Sequence, residues 1–251
     1  MRISLQPGYV LHSRPYKDTS SLLEVFTAEH GRVSLVGKGA RRRSRGGSQV
    51  ALLQPFTPLL LTFSGRAELK TLTQVEAAGT ATNLRGERLY SGLYLNELLV
   101  RLLHRNDPHP TLFARYARAV EGLQHGDDIE VTLRGFELQL LDELGYRLDL
   151  TTDGSRGEEL QQDIWYHYDP ELGLIPCPAS AKPDRPAYQG ADLLQIGRGD
   201  LAGSARLTAR RLMRQALAVH LGDAPLRSRE LFRAQQAPSS PSHEPSQASD
   251  T

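Results

Sequence analysis

Arg41, Arg42, Arg43 and Arg45 fall within five positions of one another, among alanine, serine and glycine, with nothing apolar to fold them inward. They follow Gly37-Lys38-Gly39, where the missing side chains let the backbone turn tightly and approach a ligand. From His30 through Ala67 there is no Asp or Glu. Guanidinium groups without carboxylate neighbours repel one another and stay hydrated until an anion arrives, and a polyphosphate backbone is the anion that answers several of them at once. Arg32 and Lys38, in the strand leading to the loop, join the same candidate phosphate-binding set, with Arg66 and Lys70 as lesser, flanking members. A solvated loop that only confers solubility has a similar composition; the origin of this one in a strand and the long acid-free stretch favour anion binding. Spacing excludes a Walker-type phosphate loop. Gly39 follows Lys38 where Ser or Thr must hold the metal, and Arg32 takes the place of the first glycine.

Residues suited to catalysis are sparse. His104 and His109 are separated by an Asn-Asp-Pro turn and have no Cys or carboxylate at ligand spacing. There is no Gly-x-Ser-x-Gly elbow and no His-Glu-x-x-His. The pairs Asp127-Asp128 and Glu158-Glu159 sit in loops or at helix starts, where capping and solvation account for them. The single cysteine, Cys177, excludes an internal disulfide and a multi-thiolate zinc site. No enzymatic activity, cofactor or metal is expected.

The elements that must carry the basic loop are legible in the patterning. Residues 1–80 hold 11 Lys+Arg against 5 Asp+Glu, and the remainder 19 against 24, so a basic front suited to nucleic acid precedes an acidic back suited to protein partners. Strand patterns recur over Val10–Tyr16, Leu22–Thr27, Arg32–Lys38, Pro58–Phe63 and Glu68–Val75, each bounded by turn residues. Five strands in so short a stretch suit a five-stranded OB-fold, with an SH3-like barrel as the alternative.

From Tyr90 the period changes to three and four, with Leu95, Leu98, Leu99, Leu102 and Leu103 on one face. Pro110 opens a second helix, and Asp127 or Asp128 caps a third that runs to Gly145 with Leu133, Phe136, Leu140, Leu141 and Leu144 inward. Residues 150–190 form an irregular insertion in which Ile164–Tyr168 pairs with Gly173–Ile175. Helix returns over Asp192–Gln195 and Ser204–Leu221, with Leu212, Ala216 and Val219 at core spacing. The expected fold is α+β and multidomain: an OB-fold barrel over 1–80, an all-α helical domain over 81–233 with the insertion, and a disordered tail over 234–251. No apolar run approaches the ~20 residues that span a bilayer, and a cytoplasmic protein is expected.

The segments Val10-Leu-His-Ser-Arg-Pro15, Val25-Phe-Thr27, Gly31-Arg-Val33, Gly37-Lys-Gly-Ala-Arg41, Leu53-Gln-Pro-Phe56, Tyr94-Leu-Asn-Glu-Leu98, Phe136-Glu-Leu138, Leu144-Gly-Tyr146 and Ser228-Arg-Glu-Leu-Phe232 resemble, in order and over about residues 5–233, the signatures of the bacterial recombination mediator family RecO. The resemblance implies an OB-fold followed by a helical domain without a catalytic centre. It implies binding of single- and double-stranded DNA, annealing of complementary strands, a functional place with RecR and RecA at the nucleoid, and engagement of the acidic C-terminal tail of single-stranded DNA-binding protein (SSB). Arg134, beside Leu133 and Phe136, matches the family's basic position before Phe-Glu-Leu and is the expected clamp for the SSB terminal carboxylate. Some family members carry four zinc-binding cysteines in the region matching 150–180; here Asp149 and Asp153 stand in it with only Cys177, so no zinc is implied and packing alone is expected to hold the segment.

Overall fold

The structure, a computed structural model, describes residues 2–41, 49–179 and 186–236. Five strands close into a barrel in the order β1-β2-β3-β5-β4, where β1 is Arg2–Tyr16, β2 Ser20–Thr27, β3 Gly31–Gly37, β4 Leu59–Ser64 and β5 Leu69–Ala77. A four-residue helix, α1 (Gln49–Leu52), precedes β4. Period-two alternation sets the inside: Val10, Leu23, Val25, Val33, Leu35, Leu61 and Phe63 are buried together, while Glu24 points out between Leu23 and Val25. β1 is long because it serves two partners, β4 with its first half and β2 with its second. The change of partner falls at Gly8, where a Cβ would stand 2.8 Å from Leu61 Cδ1 and 3.1 Å from the Phe26 carbonyl oxygen, so the missing side chain eases the close approach of the strands. A parallel pairing of β3 with β5 closes the ring, the OB-fold arrangement.

The helical part comprises α2 (Gly86–Leu102), α3 (Pro110–His125), α4 (Ile129–Glu143), α5 (Gly190–Gly197), α6 (Ser204–Leu221) and α7 (Arg227–Gln236). Local signals set several boundaries. Pro110 opens α3, Asp128 Oδ1 accepts the amide of Val131 3.1 Å away at the start of α4, and Gly126 and Gly145 take left-handed backbone after α3 and α4. Among the described residues no helix is long and apolar enough to cross a membrane. Leu212 and Ala216 are buried on α6 as spacing predicts, but Val219 is half exposed. α7 continues three residues past the expected end of the helical domain at 233; the rest of the expected tail, from residue 237, lies outside the described residues.

One core spans barrel and helices. Leu11 and Phe26, on the outside of the barrel, pack with Leu95, Leu99 and Tyr116. Asn96 is buried here: its Nδ2 donates to Leu11 O at 3.0 Å and its Oδ1 accepts from Tyr116 at 2.7 Å. A small sheet is formed by β6 (Trp165–Asp169), β7 (Gly173–Cys177) and β8 (Ala187–Gln189), with β6 in the middle. Packing alone does not hold this insertion. Asp149 accepts hydrogen bonds from Thr151 and Thr152, which draw its carboxyl down to about 2, and Asp153 accepts from Ser155 and Arg156.

Candidate nucleic-acid interface

The basic loop begins from a fixed point. Ala40 is fully buried against the barrel core, and the Arg41 amide donates to Thr19 O at 3.0 Å. Gly39 has φ +67, which lets the chain leave β3 and return within three residues. The Arg41–Thr19 bond ties this loop to the Lys17–Thr19 turn between β1 and β2, so Lys17, Lys38 and Arg41 stand exposed at one end of the barrel, with Asp18 in the same turn. Lys17 is a member that sequence reasoning missed. The signal was present: strands before and after a shared antiparallel neighbour bring the turn entering β2 and the loop leaving β3 to the same end. Arg42, Arg43 and Arg45 lie outside the described residues.

The other expected members are placed elsewhere. Arg32 is a correction: it turns inward to the seam between barrel and helices, where Nε donates to Leu103 O at 3.1 Å and Nη1 meets Glu24 Oε2 at 2.8 Å. The acid-free stretch hid this, because Glu24 lies one strand earlier and reaches Arg32 diagonally across β2 and β3. The same seam holds Arg105, paired with Glu24 and Glu68, and Lys70, whose Nζ donates to Asn106 Oδ1 at 2.7 Å. Arg66 is exposed in the β4–β5 turn, near the start of β1 and thus away from the Lys17–Arg41 end. Of the aromatics, Phe26 and Phe56 are core.

A second cationic surface lies between α2, α4, α6 and α7, a groove of about 800 Å³. Leu133 and Arg134 line it. Phe136 does not share this groove and is a second correction: it is 1% exposed and packs edge-on to Tyr116 in the core. Arg134 is itself nearly buried, its Nη2 3.0 Å from Glu137 Oε1, and the Tyr94 hydroxyl donates to that same oxygen at 2.6 Å. Burial pushes the Glu137 carboxyl up from its ordinary value, against the opposing pull of Arg134 and Tyr94. The opposite wall carries Arg206, Arg210 and Arg214, one turn apart along α6, and Arg229 of α7. Arg206 meets Asp128 at 2.5 Å and Arg210 meets Glu130 at 2.7 Å. Counting charge over the whole acidic back concealed this stripe, although α6 contains no Asp or Glu. A groove with cations on both walls and Leu133 and Phe232 between them can hold a peptide that ends in a carboxylate and carries apolar side chains.

Among the described residues no three His, Cys, Asp or Glu side chains are grouped to hold an ion. His109 has carboxylates beside it, Asp107 of the preceding turn at 3.4 Å and Glu143 at 3.3 Å, and the second of these ties the start of α3 to the end of α4.

With this geometry, two family models match the chain: "Recombination protein O N terminal" over residues 1–81 and "Recombination protein O C terminal" over residues 84–230. Among its relatives, the DNA repair protein RecO of Nitrosococcus oceani is 47% identical over 233 residues, 92% of this chain and 94% of the relative. That of Methylococcus capsulatus is 45% identical over 93% of this chain and 94% of the relative, and that of Haemophilus influenzae 45% identical over 92% and 97%.

Proposed function

As this chain belongs to the recombination protein O family of DNA repair proteins, we propose that it binds single- and double-stranded DNA through the cationic end of its barrel, anneals complementary strands and, with RecR, helps load RecA onto strands coated with SSB. The observation that carries this is the hydrogen bond from Arg41 to Thr19, which holds two cationic turns together beside the start of the arginine run. Such cations contact phosphates and do not read bases, so binding has little sequence preference. Two polyanions approach one another more easily over a positive surface, and annealing of this kind needs no nucleotide, cofactor or metal. The protein acts without catalysing a reaction, in the cytoplasm at the nucleoid. The groove beside Arg134 takes the acidic C-terminal tail of SSB, with Arg134 toward the terminal carboxylate and the α6 arginines toward the acidic residues before it.

Titration of a fluorescent single strand tests the DNA reading. Five contacts, from Lys38, Arg41, Arg42, Arg43 and Arg45, give a log–log salt slope near −3.5, or roughly a hundredfold loss of affinity between 50 and 200 mM salt. Replacing Arg41, Arg42 and Arg43 with alanine is expected to reduce the slope to about −1.4. An unchanged slope and affinity would instead favour an adaptor whose loop serves RNA, ribosome or membrane.

A further inference from the structure

We propose a second nucleic-acid site on the helical domain, at a depression of about 370 Å³ between α3, α4 and the end of α5, with Arg115 and Arg118 as its phosphate contacts. The inference rests on the DNA-binding reading above and extends it to a second strand. Arg115 and Arg118 are exposed, one turn apart on α3, and among the described residues neither has an ion-pair or hydrogen-bond partner. In this they differ from Arg206 and Arg210 of the neighbouring groove, which are already answered by Asp128 and Glu130. Cβ atoms three apart on a helix are about 5–6 Å from each other, so the two guanidiniums repel at rest and can reach neighbouring phosphates together.

The wall also carries Arg134, which is 7% exposed and already paired with Glu137 at 3.0 Å; its buried Nε makes no hydrogen bond and lies 3.9 Å from Glu130. Arg115 and Arg118 thus face a single carboxylate in the lining, Asp127. The Arg115 guanidinium lies over Gly135, its Nη2 3.6 Å from where a Cβ would stand, and Val131, 43% exposed, offers an apolar surface to a sugar or base. Phe113 and Tyr116 of α3 face Tyr9 and Phe26 of the barrel, so this site is separate from the loop after β3. A protein that anneals must hold two strands at once. One cationic barrel end accounts for one of them, and this site accommodates the second.

The test uses the full chain, saturated with a donor-labelled 25-mer and titrated with an acceptor-labelled, non-complementary 25-mer. The wild type is expected to take up both strands. The R115A/R118A variant is expected to bind the first within twofold and the second at least tenfold more weakly, with the salt slope of the second event smaller by about 1.4. R115K/R118K is expected to recover most of the second event. Unchanged second-strand binding in R115A/R118A overturns the proposal. So does loss of affinity for an acidic peptide with second-strand binding intact, which makes the depression a peptide site. A wild type that binds one strand only overturns this proposal and leaves the DNA-binding reading standing; one that binds none overturns both.

Discussion

Glu137 has lost all contact with water, and its position decides how Arg134 can be studied. A carboxylate buried beside a guanidinium is tolerable as a pair, but removing one partner leaves an uncompensated charge at a cost of about 3–5 kcal/mol. Arg134→Ala therefore reports on stability before it reports on binding, and Arg134→Glu sets a third carboxylate against Glu130 and Glu137. The informative variant is R134Q/E137Q, which removes both charges and retains polar side chains for Tyr94. We expect its melting temperature to stay close to wild type while affinity for a free SSB-tail peptide falls tenfold or more. Full peptide affinity in that variant would remove Arg134 from the site.

At the scale of elements, the first turn of α7 is capped by one side chain of α2. Glu97 accepts from the amides of Arg227 and Ser228, each at 2.9 Å, and from Ser228 Oγ at 2.6 Å, which caps the first turn of α7 with a negative charge. The signature Tyr94-Leu-Asn-Glu-Leu98 thereby becomes readable: Tyr94 serves α4, Asn96 serves the barrel and α3, and Glu97 serves α7. Glu97→Ala is expected to cost about 1–2 kcal/mol, confined to α7. Hydrogen exchange checks this, with faster exchange over 227–236 and unchanged protection in α2 and the barrel. Since Arg229 and Phe232 line the peptide groove, the same change should also weaken the tail complex.

Across the whole molecule, barrel and helices are joined by polar bonds as well as by the shared core. The Asn106 amide donates to Arg32 O at 2.9 Å, and Gly31, φ +60, lies so near Asp107 that a Cβ there would fall 1.7 Å from its carbonyl oxygen. Arg32 is the centre of this seam. Arg32→Ala is expected to destabilise the fold by about 2–3 kcal/mol, through the loss of its charge-assisted bonds to Glu24 and Leu103, while leaving the DNA salt slope unchanged. A slope smaller by about 0.7 with stability intact would return Arg32 to the phosphate contacts.

What the sequence determined by itself was local. Alternation around Leu23 and Val25 specifies the barrel strands, because a period of two fixes which face is wet, and Pro110, Asp128 and Gly145 mark helix ends through the backbone groups they satisfy. The loop of Arg41 was legible for the same reason, since charge density along a chain needs no neighbours to be seen. The tertiary structure decided which charges are free. Arg32 is neutralised across two strands, Arg206 and Arg210 by a helix some 80 residues earlier in the chain, and Arg115 and Arg118 by none of the described residues. A cation's availability is a through-space property, and only folding sets the distances on which it depends.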